Sequence, residues 1–249
     1  MIERLNAQIN QLILDKEYPF HPRFRIEKKE LLDIAFSNYK IRSIAELGCV
    51  WGIDCSYGIY ALEKFKLQNV KMVDTHWTET ALDRVSKYPE IEVFKGDFSD
   101  SGMVKNIGQI DAVLLFDVLL HQVAPDWTRV LEMYAQYTDY FIIFNQDWIK
   151  SNITTRLLDL GREEYFTNVP HNPNEPPYNT LFDHLYEKHP IHNKIWRDVH
   201  HVWQWGIVSD DLISLMKKLG FRLEYFFNHG ELSYLTSFEE HSYIFKKIK

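Results

Sequence analysis

Residues 41–58 constrain this chain more than any other stretch. A short apolar run, 44–47, carries the acid Glu46 near its end, and Gly48 and Gly52 then break the chain before a helical pattern begins near Cys55. That order reads as strand, tight turn and helix. In an open α/β sheet, ligands gather at the carboxyl ends of strands, and the start of the next helix offers N–H groups that lack intrahelical partners. A nucleotide-like ligand is therefore expected at this turn.

The rest of the chain repeats the unit. Runs at 70–74, 91–94, 110–116 and 140–144 read as strands, and 55–66, 77–87 and 126–137 carry helical patterns. The run 110–116 is continuously apolar, as expected of a strand covered on both faces. Such alternation predicts a doubly wound, mostly parallel sheet. From 149 to 207 the rhythm stops: the segment holds Pro170, Pro173, Pro176, Pro177 and Pro190 amid dense Tyr, Phe, Trp and His. It reads as a lid insertion across the open end of the sheet, with short helices at 154–161 and 179–188. Ser209 then stands as an N-cap, Leu212, Leu215, Met216 and Leu219 form an apolar stripe, and Gly220 stops that helix. Strands at 221–227 and 242–248, joined by a turn at Asn228, His229 and Gly230, close the chain. Ahead of the first strand, 1–40 predicts two helices, marked by Ile2, Leu5, Ile9 and Leu12 and by Leu31, Ile34 and Ala35. With 249 residues, one α/β domain with an insertion fits better than two equal domains.

Composition narrows the function. The chain is 45% hydrophobic and 25% charged, as in soluble globular proteins, and no apolar run approaches a bilayer span. The opening Met1, Ile2, Glu3, Arg4 lacks a signal-peptide pattern, so a cytoplasmic location is expected. A net charge of -7 argues against sequence-independent nucleic-acid binding. Cys49 and Cys55 are too few for a disulfide scaffold or a thiolate zinc site.

The acids fall in step. Glu46, Asp74, Asp97 and Asp117 are 28, 23 and 20 positions apart, each about one strand-helix unit. An acid after a second strand can accept from both ribose hydroxyls, so Asp74 is that candidate. Asp97 can accept from an adenine amino group while Phe98 stacks on the base. A pyrophosphate-binding turn wants Gly-x-Gly-x-x-Gly with no negative charge nearby, whereas here Glu46 precedes the turn and Val50 takes the middle position. A carboxylate there repels phosphate and attracts an ammonium group.

Glu46-x-Gly48-x-x-x-Gly52 resembles the first motif of the class I S-adenosylmethionine-dependent methyltransferases, with Val50 in place of a glycine and Trp51 in place of a small residue. The resemblance extends over the acids to Asp117 and His121, and 209–248 is similar to the end of that fold. It implies a seven-stranded sheet with the last strand antiparallel, and S-adenosylmethionine as cofactor. Glu46 and Gly48 then serve the methionine part, Asp74 the ribose, Asp97 and Phe98 the adenine, and Asp117 the rim beside the sulfonium. Cys49 and Thr75 complete the cofactor-binding set.

Methyl transfer from a sulfonium depends mainly on in-line positioning, plus a general base where the acceptor carries a proton. His121 follows the fourth strand and is the candidate for that base, an imidazole being the side chain that ordinarily changes charge near neutral pH; packing the helix start is its other reading. Asn145, Gln146 and Trp148 leave the fifth strand for the same crevice, and His200, His201 and Trp203 are the candidate acceptor contacts in the insertion. Tyr18, His21 and Arg23 are expected to close over the cofactor. Asp117, Asn145 and Asp147 weakly resemble the divalent-metal site of catechol-type O-methyltransferases, but a metal-free site is favoured over one holding Mg²⁺. The expected partner is a small-molecule acceptor, methylated at oxygen or nitrogen, with no nucleic acid and no membrane. A nicotinamide-dependent oxidoreductase on a similar sheet and a non-catalytic methyltransferase-like scaffold are the rivals. Oligomeric state and acceptor identity are left open.

Overall fold

Apolar runs flanked by turn residues become the middle of one twisted sheet. The computed structural model describes residues 23–200, 202–232 and 235–248. The helix expected over Ile2 to Leu12, together with Tyr18, His21 and His201, lies outside the described residues.

Helix α1, Ile26–Asn38, buries Leu31, Leu32, Ala35 and Phe36 along one face. Strand β1, Ser43–Leu47, leads to α2, Ser56–Phe65, then β2, Asn69–Asp74, and α3, Glu79–Val85. Helix α3 begins later than 77 because the Thr78 hydroxyl oxygen accepts the Ala81 N–H at 3.0 Å and caps it. Next come β3, Ile91–Lys95, α4, Ser101–Ile107, β4, Ile110–Phe116, α5, Trp127–Tyr134, and β5, Thr138–Trp148.

The segment after β5 departs from expectation. Where a helix is predicted at 154–161, strand β6, Thr155–Arg156, pairs antiparallel with β7, Trp205–Gly206, and one 3-10 turn follows. That pairing takes the backbone groups a helix needs. Helix α6, Arg162–Asn168, was not expected, and α7 is only Tyr178–Leu181. Beyond it, Trp196 N–H donates to Glu187 O at 3.0 Å and His189 N–H to Lys194 O at 2.9 Å, so the chain doubles back on itself.

Helix α8, Ser209–Lys218, buries Leu212 and Met216. Ser209 is its first helical residue rather than its cap, because the hydroxyl donates to Asp147 at 2.7 Å. Strands β8, Phe221–Leu232, and β9, Leu235–Lys247, form a longer hairpin than predicted. The Asn228 to Gly230 turn signal is absorbed as an irregularity within β8, where the Asn228 side-chain oxygen accepts the Gly230 N–H at 2.7 Å.

The sheet order is β3-β2-β1-β4-β5-β9-β8. Strands β1 to β5 pair in parallel, and β9 inserts antiparallel between β5 and β8, as the resemblance implies. One face packs on α1, α2 and α3 through Leu32, Tyr57, Tyr60 and Ala81. The other packs on α4, α5 and α8 through Val104, Trp127, Leu131 and Met216. Strand order reverses between β1 and β4, the place where such sheets open a ligand crevice. Among the described residues, no helix is long and apolar enough to cross a membrane.

Candidate active site

The carboxyl ends of β1 to β4 open onto a cavity of about 960 Å³. Glu46, Gly48, Asp74, Thr75, Asp97, Phe98 and Asp117 all line it, so the acids read in step along the chain meet around one space. Gly48 has a φ of +73°, and a Cβ there would lie 2.6 Å from Val118 Cγ1, so the turn requires glycine for conformation and for space.

Glu46 is buried and its Oε2 accepts the Gly58 N–H of α2 at 2.8 Å. A Cβ on Gly58 would come within 2.6 Å of that oxygen, so this second glycine makes the room the carboxyl group occupies. Burial pushes the Glu46 carboxyl up to about 8, opposed by the Gly58 N–H and Lys28 and assisted by Asp74. Asp74 accepts the Val50 N–H at 2.9 Å and the His76 N–H at 3.0 Å, which fixes the turn to the end of β2. Each carboxylate oxygen retains acceptor capacity beyond these bonds. Asp97 accepts from Ser99 N–H and Oγ at 2.9 and 2.6 Å, and the Phe98 carbonyl accepts the Tyr134 hydroxyl at 2.8 Å. Trp51 is 83% exposed at the cavity mouth, beneath the Arg23 guanidinium at 5.4 Å.

Asp117 sits in the left-handed region, at φ 57°, just past β4. It accepts from Gln146 Nε2 at 2.7 Å and forms an ion pair with Lys28 of α1. The Lys28 ammonium lies 5.1 Å from the Phe144 ring, 5.5 Å from Tyr57 and 5.9 Å from Phe116, so a nearly buried cation is held by a carboxylate and three aromatic faces. Arg25 makes a two-pronged ion pair with Glu240 of β9, and its backbone N–H donates to the Tyr57 hydroxyl at 3.0 Å. The leading segment is thus tied across the cavity to strands far away in the chain.

On the other side, His121 Nδ1 lies 3.0 Å from the Val202 carbonyl. A carbonyl only accepts, so Nδ1 carries the hydrogen and Nε2 is the basic nitrogen. His200 and Trp203 line the cavity with His121, as does Gln146. Three predicted residues do not. Cys49 is fully buried, its thiol directed to the Val73 carbonyl and Cys55. The Asn145 side chain turns back to the Gln146 carbonyl and Asp147, each at 2.9 Å. Trp148 packs over Gly206 and edge-on to Phe238, with its indole N–H on Ser151. Alternation along β5 explains Asn145: Gln146 points into the cavity, so its immediate neighbours face the other side. Trp148 shares the parity of Gln146 but ends the strand, where Gly206 and Phe238 cover it. Because of the same alternation Asp117, Asn145 and Asp147 do not converge on one point.

Sequence reasoning missed Arg25, Lys28, Tyr57, Gln122, His171, Tyr178 and Glu240, all of which line the cavity. Only Lys28 had a readable signal. It precedes Leu31, Leu32 and Ala35 at helical spacing, so a cation falls on the buried face of α1.

No family model and no curated protein matches the sequence. Solved structures do. The chain is similar to the 1,6-didemethyltoxoflavin-N1-methyltransferase of Burkholderia thailandensis, seen with 1,6-didemethyltoxoflavin and S-adenosylhomocysteine bound. The TM-score is 0.57 at 10% identity, over 99% of this chain and 90% of that one. It is also similar to the magnesium protoporphyrin IX methyltransferase of Synechocystis PCC 6803 with bound S-adenosylhomocysteine, at a TM-score of 0.52 and 12% identity, over 89% and 82% of the two chains. A third similar structure is the mitomycin 7-O-methyltransferase, with a TM-score of 0.50 and 14% identity over 90% of this chain. The match covers 54% of that enzyme, so the chain spans about half its length. At such identities the likeness is one of fold.

Proposed function

We propose that this chain, whose fold is that of the class I S-adenosylmethionine-dependent methyltransferases, methylates a small molecule at oxygen or nitrogen. The observation that carries the reading is the convergence of Glu46, Asp74, Asp97 and Asp117, from four successive strand ends, on one cavity. Fold alone does not assign activity; these side chains suit the cofactor.

Asp74 and Thr75 would hold the ribose, Asp97 and Phe98 the adenine, and Glu46 and Gly48 the methionine part. The absence of any Cβ at Gly48 and Gly58 supports this, because Gly58 clears the space beside the Glu46 carboxyl group and Gly48 that beside Val118 and Phe98. S-adenosylmethionine, when bound, supplies a methyl group already activated on a positively charged sulfur. Asp117, fixed by Lys28 and Gln146, places a carboxylate at the centre of the cavity wall. Transfer of that methyl group would leave the electron pair of the broken C–S bond on sulfur, and His121 Nε2 would take the proton that the methylated acceptor atom gives up. The Val202 carbonyl supports that role by holding the tautomer. The segment 149–207 would form the acceptor wall through His171, Tyr178, His200 and Trp203, which line the cavity.

Titration calorimetry with S-adenosylhomocysteine tests the reading. Wild-type protein is expected to bind it, and Asp74→Ala and Asp97→Ala each to lose roughly tenfold or more in affinity, about 1.4 kcal/mol. Undiminished binding in both variants, or thermal stabilisation by NADH and none by S-adenosylhomocysteine, would overturn it.

A further inference from the structure

The acceptor side of the cavity is built almost without charge. Between residues 119 and 203, every described side chain that lines it is aromatic, imidazole, amide or proline; no Asp, Glu, Lys or Arg is among them. The charged groups of the wall come from the strand ends, the 23–28 segment and β9.

The rings form flat walls. His171 stacks on Tyr178 with centroids 4.1 Å apart and planes 14° from parallel. Trp203 stands edge-on to His171 at 6.5 Å and to His121 at 6.4 Å, with interplanar angles of 90° and 87°. Burial, with His121 nearby, pushes His171 down to about 4, and burial with Lys194 also lowers His200. Both imidazoles are therefore uncharged near neutral pH.

Two wall residues add an independent sign. Gln146 Nε2 donates to Asp117, and a carboxylate only accepts, so the orientation of that amide is settled. Among the described residues its Oε1 has no hydrogen-bond partner, nor does the Oε1 of Gln122, and both atoms are buried in side chains that line the cavity, so an incoming donor reaches them by a small turn of either amide. Each such oxygen carries an uncompensated desolvation cost until a donor reaches it. Lone pairs left over in this way repel an anion and favour an incoming O–H or N–H.

Resting on the methyl-transfer reading, we infer that the methyl acceptor is an uncharged, flat aromatic molecule bearing hydroxyl or N–H donors. Its ring lies among Tyr178, His171 and Trp203, and its donors face the Gln122 and Gln146 side chains. A carboxylate or phosphate acceptor would meet no cation among the lining side chains on this side, because Lys194 lies behind His200, with its ammonium 2.7 Å from Nε2. A sugar would bring more hydroxyls than the few polar atoms there can satisfy, and each unpaired group carries a desolvation cost.

Calorimetry on the intact protein saturated with S-adenosylhomocysteine tests this, using three probes of similar shape: naphthol, hydroxynaphthoate and the fully reduced decalol. Naphthol is expected to bind roughly tenfold or more tighter than either analogue. Tyr178→Leu should remove that preference while leaving S-adenosylhomocysteine affinity within about twofold. Equal or tighter binding of hydroxynaphthoate or decalol overturns the inference, and so does binding of none of the three. S-adenosylhomocysteine binding, measured first, keeps the two claims separate: its loss sinks methyl transfer, whereas its presence with the wrong ring preference sinks only the acceptor class.

Discussion

Glu46 is a carboxyl group that burial keeps largely protonated near neutral pH, and a cation beside it, such as the ammonium group of a bound amino acid, would favour its ionised form. In the unfolded chain it ionises near 4.5, whereas burial holds the folded group at about 8. Between those values the unfolded state has released a proton that the folded state retains. Stability therefore falls as pH rises through the window, by up to about 1.4 kcal/mol per pH unit. Glu46→Gln keeps an oxygen for the Gly58 N–H and removes the ionisation. Its urea midpoint is expected to climb relative to wild type between about pH 5 and pH 8. Comparing the two proteins also cancels the opposite trend of His171, whose lowered value makes stability rise with pH over the acidic part of that range. Parallel midpoint curves would show that Glu46 ionises normally in the folded protein.

At the scale of elements, the join of β5, β9 and α8 depends on a buried polar cluster outside the cavity. The Asp147 carboxylate of β5 accepts from Ser209 Oγ at 2.7 Å, from the Tyr243 hydroxyl and from Asn145 Nδ2 at 2.9 Å. His241 Nδ1 stands 3.1 Å from the same carboxylate, and its Nε2 is 3.2 Å from Glu239. Burial works against a charge on His241, but the hydrogen bonds and charges of Asp147 and Glu239 outweigh it and raise its value. The favourable contribution of His241 is thus complete below its unfolded value and is lost as pH rises through the raised folded one. Asp147→Ala strips four partners at once and is expected to cost about 3 kcal/mol or more, read from urea denaturation. His241→Gln should lose less and should flatten the pH dependence above about 6.5. A cost below about 0.5 kcal/mol for Asp147→Ala would mean that the cluster contributes nothing to holding β9 in the sheet.

For the molecule as a whole, stability is divided between two layers on the sheet and a third cluster outside it. Trp148, Leu157, Tyr165, Leu181, Val202 and Phe238 belong to this third cluster, which joins the segment after β5 to the β8–β9 hairpin. Arg156 fastens it. Its guanidinium bonds Gln204 at 3.0 Å, the Arg197 carbonyl at 2.7 Å and Asp198 at 3.2 Å, and lies 5.1 Å from the Trp205 ring. Because this segment has short elements and few ladder bonds, its amides are expected to exchange with solvent faster than those of β4 and β5. Arg156→Met should speed exchange further over 157–203 and leave β4 unchanged. Uniform acceleration across the chain would show that the cluster does not open separately.

The sheet and the strand-end acids were legible because both follow from local spacing. A buried parallel strand must be apolar on both faces, and its end must turn toward the crevice. Glu46, Asp74, Asp97 and Asp117 could therefore be placed from alternation and distance along the chain. Nothing local marks Arg25 as the partner of Glu240, 215 positions away, or brings His171 and Tyr178 against His121 and Trp203. Nor could spacing show that Cys49, Asn145 and Trp148 face away from the cavity, because that depends on the direction of each pleat once neighbouring strands are paired. The sequence by itself determined the order of strands and helices and the acids at their ends. Only the tertiary structure decided which side chains share the cavity, since pairing and packing join groups whose separation along the chain carries no periodic signal.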